Sequence, residues 1–257
     1  MPFDIEYVRR RLPGRAISYF PSLDSTMPEA ARLAAAGCGP GTIVVAEQQT
    51  AGQGRYGRYW HSEPDSGLYC SVVLRPTLSS STLPVLMLAL GLATAEAIAR
   101  STDMACDIRW PNDVLIKDKK VAGILVQLQD RFVIAGIGIN VNHEEFPPDL
   151  AAIATSLRAA SGKAQSREEL LIALLPSVES FCRMLVSGGK EAILNMFYRC
   201  SSYARGKRVI VEAVDGIIEG TTAGLDPSGF LMIEQDDGTR RLILAGGVRA
   251  ADAGRGQ

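Results

Sequence analysis

The stretch AGQGRYGRYW, residues 51–60, contains three glycines in a GxGxxG spacing, Gly52, Gly54 and Gly57. It follows TIVVAE at residues 42–47, an apolar and β-branched run that predicts a strand. Glycines have no Cβ, so a loop of this kind lets the backbone approach an anion closely. The stretch therefore raises the question of a phosphate site, and the residues around it decide which kind.

The dinucleotide-binding type of loop does not fit the residues that follow. That type requires a helix that opens at the last glycine and an acidic residue about 20 positions further on. Pro64 and the turn sequence DSG at 65–67 oppose a helix, and position 77 is Thr. We therefore exclude a dinucleotide fold of this type.

The sequence also lacks the motifs of two other phosphate-binding classes, the protein kinases and the P-loop proteins. The chain has two histidines, His61 and His143, neither in an HRD motif, and it contains no DFG. A P-loop ends in Gly-Lys-Ser/Thr, whereas Gly57 precedes Arg58. Two interpretations remain. Either Arg55 and Arg58 fork onto phosphate or carboxylate oxygens, or this is a mobile surface loop with solvated arginines.

The composition is that of a globular protein with one large and one small domain. The chain has 257 residues, 47% of them hydrophobic, and a formal net charge of −1, which favours neither nucleic acid nor an acidic membrane as a partner. Its five cysteines are odd in number and include no CxxC, which predicts free thiols in a reducing cytoplasm. Cysteine and histidine are too sparse to indicate a zinc site, so no metal ligands are predicted.

The uncharged stretch at residues 76–95 requires a membrane check. Its strongly apolar part, LPVLMLALGLA, has only about 11 residues, fewer than a membrane span needs. Pro84 suits the first turn of a helix. We therefore predict a buried core helix over about 84–101 and no membrane partner. The mixed charged and apolar N-terminus, MPFDIEYVRRRLPG, is not a secretory signal.

The pattern of helices and strands predicts an α+β chain in two parts. The first part includes a helix from Thr26, the hairpin VLI-KDKK-VAGILVQLQ, and a long helix that opens at Ser166 and kinks at Pro176. Four short β runs separated by Asp/Gly turns then predict a small SH3-like barrel. We place the domains at residues 1–203 and 204–257.

Four fragments become specific when they are taken together. They are DST at 24–26, the glycine loop, RWPND at 109–113 with KKVAGIL at 119–125, and GIGINVN at 136–142. Each alone has an ordinary explanation as a helix cap, a solvated hairpin tip or a turn. In this order and spacing, followed by the β-rich tail, the chain resembles the biotin–protein ligases over about residues 18–248.

The resemblance implies a mixed-sheet catalytic domain of the biotin/lipoate ligase type followed by the SH3-like domain. It implies biotin-binding positions at Ser25, Thr26, Gln49, Gly123, Leu125 and Gly136. It implies nucleotide-binding positions at Gly52, Gly54, Arg55, Arg58, Trp60, Asn112 and Asn140. In the implied catalytic set, Lys120 contacts the biotin carboxylate and the α-phosphate, Arg55 lies over the acyl-adenylate, and Asp113 is linked to the acceptor lysine.

The implied activity has two steps. ATP activates biotin to biotinyl-5'-AMP, with Mg²⁺ shielding the pyrophosphate, and biotin then passes to a specific lysine of a biotin carboxyl carrier protein. The alternatives are a lipoate or octanoate ligase and a non-catalytic biotin or nucleotide binder. Because the first strand is expected by about residue 16, we predict the type without an N-terminal DNA-binding domain, and no specific DNA binding. The oligomeric state, including a homodimer, is left open.

Three residues depart from the family pattern. Gln53 stands where the loop usually has arginine, and Met27 stands where DST is usually followed by asparagine. Gly247 stands where glutamate is usual in the C-terminal domain. The first departure places retention of the adenylate in question, and the second leaves the role of position 27 open.

Overall fold

The described part of the chain comprises residues 2–75, 80–213 and 216–251 of a computed structural model. Residues 76–79, which open the uncharged stretch, and residues 252–257, which end the predicted C-terminal domain, lie outside it. Within the described ranges the strands form two sheets, one of seven strands and one of five.

The larger sheet is mixed in direction. Its strands are β1 (Ile17–Phe20), β2 (Ile43–Ala46), β3 (Gly67–Leu74), β4 (Asp107–Arg109), β5 (Asp113–Ile116), β6 (Lys119–Gln129) and β7 (Phe132–Asn140). They lie in the order β1-β2-β3-β7-β6-β5-β4. The β1–β2 pair is parallel, and the other neighbouring pairs are antiparallel. The predicted mixed-sheet fold is confirmed.

Two long helices cover one face of this sheet. The α-helices of the described residues are α1 (Ile5–Arg11), α2 (Thr26–Ala35), α3 (Leu83–Thr102), α4 (Pro148–Ala151), α5 (Leu157–Ser161) and α6 (Arg167–Cys200), and short 3-10 helices span Arg55–Gly57 and Ser80–Thr82. By length and composition alone, α3 and α6 would each be able to cross a membrane. In the fold they pack along each other, and α3 lies against β4, β5 and β6. An apolar helix covered in this way is a core helix, as predicted for α3.

The opposite face of the sheet carries α2 and a row of small residues. Met27, Ala30 and Ala34 of α2 pack against this face. Successive side chains of a strand point to opposite faces, so β7 places its isoleucines at 137 and 139 in the main core. Its glycines at 136 and 138 therefore face the α2 side. No side chain rises from the sheet at these two glycines, which leaves space for a ligand between α2 and β7.

The smaller sheet is antiparallel and has the order β11-β10-β9-β8-β12. Its strands are β8 (Arg205–Ala213), β9 (Gly216–Leu225), β10 (Leu231–Glu234), β11 (Arg240–Ile243) and β12 (Gly247–Ala250). The four predicted β runs are present, in keeping with an SH3-like domain. The fifth strand, β12, was not predicted, because it is short and directly follows glycines.

Three short helices and one break in a long helix were not predicted from the sequence. The helices α1, α4 and α5 are each seven residues or fewer, too short for a clear 3.6-residue period. Ser166 caps α6 by accepting from the N–H of Glu169 at 3.1 Å, as predicted. The helix continues through Pro176, and its backbone leaves the helical region at Gly189 instead, where φ is 73°. The break at Gly189 was not predicted, and the kink at Pro176 stays a prediction.

Candidate active site

A small cavity of about 50 Å³ lies between the N-terminus of α2 and the glycines of β7. The six residues predicted to bind biotin all line it, namely Ser25, Thr26, Gln49, Gly123, Leu125 and Gly136. They come from four separate parts of the chain, so that only the folded sheet brings them together. The cavity is partly apolar and has hydrogen-bonding groups at one end.

That polar end is a buried network around the start of α2. The N–H of Thr26 donates to Gln49 Oε1 at 2.9 Å, and Gln49 Nε2 donates to Ser62 Oγ at 2.9 Å. The hydroxyls of Thr26 and Ser71 lie 2.7 Å apart. Ser25 caps the helix by accepting from the N–H of Met27. These side chains are held in place before any ligand arrives and offer both donors and acceptors to a polar ligand group.

Trp60 lies across the glycines of the sheet and limits the size of the cavity. A Cβ at Gly123 would lie 2.9 Å from the Trp60 ring, and one at Gly138 would lie 2.5 Å from it. The indole N–H of Trp60 is buried without a hydrogen-bond partner among the described residues. A shift of this one side chain would widen the cavity without a change in the sheet.

Met27 closes the other side of the cavity. A Cβ at Gly136 would lie 2.5 Å from Met27 Sδ, so that glycine is required opposite this thioether. Met27 is buried and lines the cavity. The residue that departs from the usual DSTN motif thus contributes to the shape of the pocket.

Three charged side chains meet beside the cavity. Lys120 Nζ lies 2.6 Å from Asp113 Oδ1, and Arg109 Nη2 lies 2.8 Å from Asp113 Oδ2. Burial alone would raise the pKa of Asp113, but Lys120 and Arg109 hold it below its ordinary value of 3.8. Asp113 is therefore a carboxylate at neutral pH and fixes the Lys120 ammonium, which also lies 5.2 Å from the centre of the Trp60 ring.

An irregularity in the hairpin gives Lys120 its direction. The pairing of β5 with β6 shifts register between Val114 and Leu115, and such a bulge re-aims the side chains near it. The N–H of Lys120 donates to the carbonyl of Ile153 at 2.8 Å, and its carbonyl accepts from the N–H of Thr155 at 2.9 Å. The backbone of Lys120 is thus held on both sides.

The glycine loop connects this centre to the C-terminal domain. Arg55 Nη1 donates to Asn112 Oδ1 at 3.2 Å and to the carbonyl of Gly246 at 3.4 Å. Asn112 is itself fixed, because its amide donates to the carbonyl of Ile124 at 2.9 Å. Arg58 is more exposed and lies 3.2 Å from Glu212 Oε2 on β8. The loop therefore contacts the sheet and the small domain at once.

A larger cleft of about 370 Å³ adjoins the small cavity. Its lining includes Gly54, Arg55, Arg58, Trp60, Asn112, Asp113, Lys120 and Asn140. Five of these also line the small cavity, namely Gly54, Arg55, Trp60, Asn112 and Lys120. Asn140 is fixed by donating from Nδ2 to the carbonyl of Thr155 at 3.1 Å. Gly52 lines neither space and instead packs under the carbonyl of Trp60.

Several lining residues were not predicted. Gly138 could have been found, because it follows Gly136 at the two-residue period of a strand. The sequence also offered a signal for Arg109, because it lies four residues before the oppositely charged Asp113 with a Trp-Pro-Asn turn between them. The structure pairs the two residues across the β4–β5 turn. The C-terminal segment 246–249 also lines the larger cleft, and the departure at Gly247 was noted in the sequence without assigning the segment to the site.

Residues 19–143 match the biotin/lipoate A/B protein ligase family, and residues 205–248 match the biotin protein ligase C-terminal domain. The chain is 34% identical to the bifunctional ligase/repressor BirA of Bacillus subtilis, over 93% of this chain and 75% of that protein. It belongs to the biotin protein ligase family.

Two further proteins support this membership. The biotin–[acetyl-CoA-carboxylase] ligase of Mycobacterium tuberculosis is 32% identical over 96% of this chain and 94% of its own length. The biotin protein ligase of Aquifex aeolicus, solved in complex with biotin and ATP, is 32% identical and covers 91% of this chain and 99% of its own, with a TM-score of 0.83. These similarities confirm the predicted family, fold class and function as an ATP-dependent biotin protein ligase.

Proposed function

We propose that the two adjoining cavities bind biotin and ATP side by side, so that the biotin carboxylate meets the α-phosphate next to Lys120. The main support for this proposal is that the small cavity and the larger cleft have lining residues in common. The predicted biotin residues surround the small cavity, and Lys120 and Arg55 lie where it meets the larger cleft. The small cavity has a polar network around Thr26 and Gln49 at one end and the cations Lys120 and Arg55 where it meets the larger cleft. A ligand with a small polar ring at one end and a carboxylate at the other fits this arrangement.

In the first step a biotin carboxylate oxygen attacks the α-phosphorus, and the bond to pyrophosphate breaks. Two anions must approach, so fixed cations are required where charge accumulates. Lys120, held by Asp113, supplies one such cation beside the small cavity. Arg55 supplies the second from the glycine loop, and closing that loop would keep water from the mixed anhydride.

In the second step the neutral amine of the acceptor lysine attacks the acyl carbon, the bond to the AMP phosphate breaks, and the amine proton passes to solvent water as AMP leaves. We propose that Asp113 positions groups in this step and does not remove the proton. Its lowered pKa and its two cationic partners, Arg109 and Lys120, make it a weak base near neutral pH. The names of two relatives, from Mycobacterium tuberculosis and Paracoccus denitrificans, specify acetyl-CoA carboxylase, which supports a carboxyl carrier protein as the acceptor.

The described residues do not offer a carboxylate set for a protein-held Mg²⁺. The carboxylates that line the larger cleft are Asp113, which is already paired with two cations, and Glu212, which pairs with Arg58. Mg²⁺ keeps several waters and binds readily through substrate phosphates. We therefore propose that it enters with ATP as part of the substrate.

We also propose a cytoplasmic location, the absence of specific DNA binding and a domain boundary at residues 203–204. A cytoplasmic location is supported by the five cysteines, which are all unbonded. The absence of specific DNA binding is supported by the net charge of −1. The domain boundary at residues 203–204 is supported by the start of β8 at Arg205. A homodimer stays an open prediction.

We expect ATP–pyrophosphate exchange to depend on biotin far more than on lipoate or octanoate. Met27 and Trp60 restrict the small cavity, and each misplaced methylene costs about 1–3 kcal/mol of discrimination, or about 10–200-fold. Met27→Ala should reduce the preference for biotin about tenfold. Met87→Ala, on α3 at the other face of the sheet, is the matched control and should leave the preference unchanged. Equal exchange with lipoate in the unaltered chain would favour the lipoate alternative.

We expect biotin plus ATP to protect the glycine loop from trypsin. Arg58 is 68% exposed, and the loop carries three glycines, so cleavage after Arg58 should be rapid in the free protein. Closure over biotinyl-AMP should slow this cleavage severalfold. Arg240 in the small domain is 70% exposed and serves as an internal control site. Cleavage after Arg58 at the same rate with and without both substrates would contradict loop closure.

A further inference from the structure

The two histidines of the chain lie together at the edge of the larger cleft. A ring nitrogen of His61, a ring nitrogen of His143 and a carboxylate oxygen of Glu63 all lie within 4.8 Å of one another. His61 Nε2 is 3.0 Å from Glu63 Oε1, and the two imidazole rings are 5.7 Å apart. His143 is 1% exposed and stacks on Phe146 at 5.2 Å.

Tyr69 determines which nitrogen of His143 carries the proton. Its hydroxyl donates its single hydrogen to the carbonyl of Glu63 at 2.9 Å. The Tyr69 oxygen, 3.2 Å from His143 Nε2, must therefore accept, which makes Nε2 the donor. The lone pair of the neutral ring then lies on Nδ1, which is buried and has no hydrogen-bond partner in the described part of the chain.

The unpaired nitrogen is costly unless a ligand uses it. A buried acceptor without a hydrogen-bond partner destabilises the fold. A metal ion at Nδ1 would satisfy it, while Nε2 is held by Tyr69, as is usual for the second nitrogen of metal-bound histidines.

We propose that His61, Glu63 and His143 bind one divalent transition-metal ion, with Zn²⁺ as the best match. Two imidazole nitrogens and one carboxylate oxygen are a known zinc ligand set, and a water can take the fourth position. Mg²⁺ prefers oxygen ligands in octahedral geometry, so this site is separate from the Mg²⁺ that enters with ATP. No sequence pattern indicates this site, because its ligands come from the segment before β3 and the segment after β7.

The bound ion would join two segments that border the larger cleft. His61 directly follows Trp60, and His143 lies between β7 and α4. Fixing His61 would restrain the end of the glycine loop next to the indole that limits the small cavity. Binding of the ion does not require biotin or ATP, so the site can be tested by metal binding alone.

The test uses the full chain without a histidine tag, stripped with a chelator and titrated with Zn²⁺ by calorimetry and with Co²⁺ by visible absorption. We expect one ion per chain, cobalt bands typical of nitrogen and oxygen ligands, and a higher Tm with Zn²⁺. His61→Ala and Glu63→Gln change partly exposed side chains and should each weaken binding at least about 100-fold. Tyr69→Phe should weaken it about 10–100-fold through the lost hydrogen bond.

Glu145→Gln is the matched control for Glu63→Gln, because it removes an exposed carboxylate near His143 that is not in the cluster. It should bind the ion like the unaltered chain. Two results would overturn the proposal. One is the same affinity in His61→Ala and the unaltered chain. The other is strong near-ultraviolet cobalt–thiolate absorption, which would assign the ion to cysteines.

Discussion

Replacing Lys120 with alanine is expected to slow biotin-dependent adenylate formation by about 10²–10³-fold, or about 3–4 kcal/mol of transition-state stabilisation. Lys120 is the ammonium that Asp113 holds at the junction of the two cavities. Its loss removes a fixed positive charge where the carboxylate and the α-phosphate meet. The measurement is ATP–pyrophosphate exchange at saturating biotin, with the Tm recorded to confirm folding.

Lys117→Ala is the control for this variant. Lys117 lies at the exposed tip of the same hairpin, with φ of 50°, and lines neither cavity. Its exchange rate should stay near that of the unaltered chain. Lys120→Arg should recover only part of the rate, because a planar guanidinium does not replace a compact ammonium. Similar near-normal rates for Lys120→Ala and Lys117→Ala would show that Lys120 has no part in activation.

Replacing Asp113 with asparagine is expected to lower the free energy of unfolding by about 3 kcal/mol at pH 7. Removing one partner of a buried ion pair typically costs about 3–5 kcal/mol, because the other charge stays buried. Two cations, Arg109 and Lys120, would lose their counter-charge here, but Lys120 is 27% exposed and keeps some contact with water, so we take the lower end. The measurement is urea unfolding. Adenylate formation should also slow, since Lys120 is no longer held.

The stabilisation of the fold by the Asp113 carboxylate should depend on pH. The folded-state pKa of Asp113 is below its ordinary value of 3.8, so its carboxylate stabilises the fold above that pH. The contribution is lost as pH falls below 3.8 through the folded-state pKa. The difference between the unaltered chain and Asp113→Asn should therefore shrink in acid. Asp118→Asn, at the exposed hairpin tip, should change stability by less than about 0.5 kcal/mol at any of these pH values.

Long periodic elements and compact motifs were predictable from the sequence. The strand that ends in GIGIN, the core helix with Pro84 and the hairpin that carries Lys120 each have a local pattern strong enough to fix their type. The candidate site was predictable because its residues come from short motifs. The structure then placed 14 of the 15 predicted positions around two adjoining cavities, with Gly52 the exception.

The remaining features depend on contacts between distant segments. No local pattern shows that Arg55 reaches the carbonyl of Gly246, or that Trp60 packs on Gly138. The lowered pKa of Asp113 requires Arg109 and Lys120 to meet across a bulged hairpin. Short helices such as α4 depend on packing more than on intrinsic propensity, which explains why they were missed.

We infer that this cleft joins biotin to the adenylyl group of ATP and then to a protein lysine. The most direct measurement is transfer of labelled biotin to an isolated biotin carrier domain, with a matched domain whose acceptor lysine is replaced by arginine. We predict that label transfer requires ATP, is abolished with the arginine domain, and falls about 10²–10³-fold with Lys120→Ala. Biotin binding without ATP-dependent exchange or transfer would contradict the claim and would make the chain a non-catalytic binder.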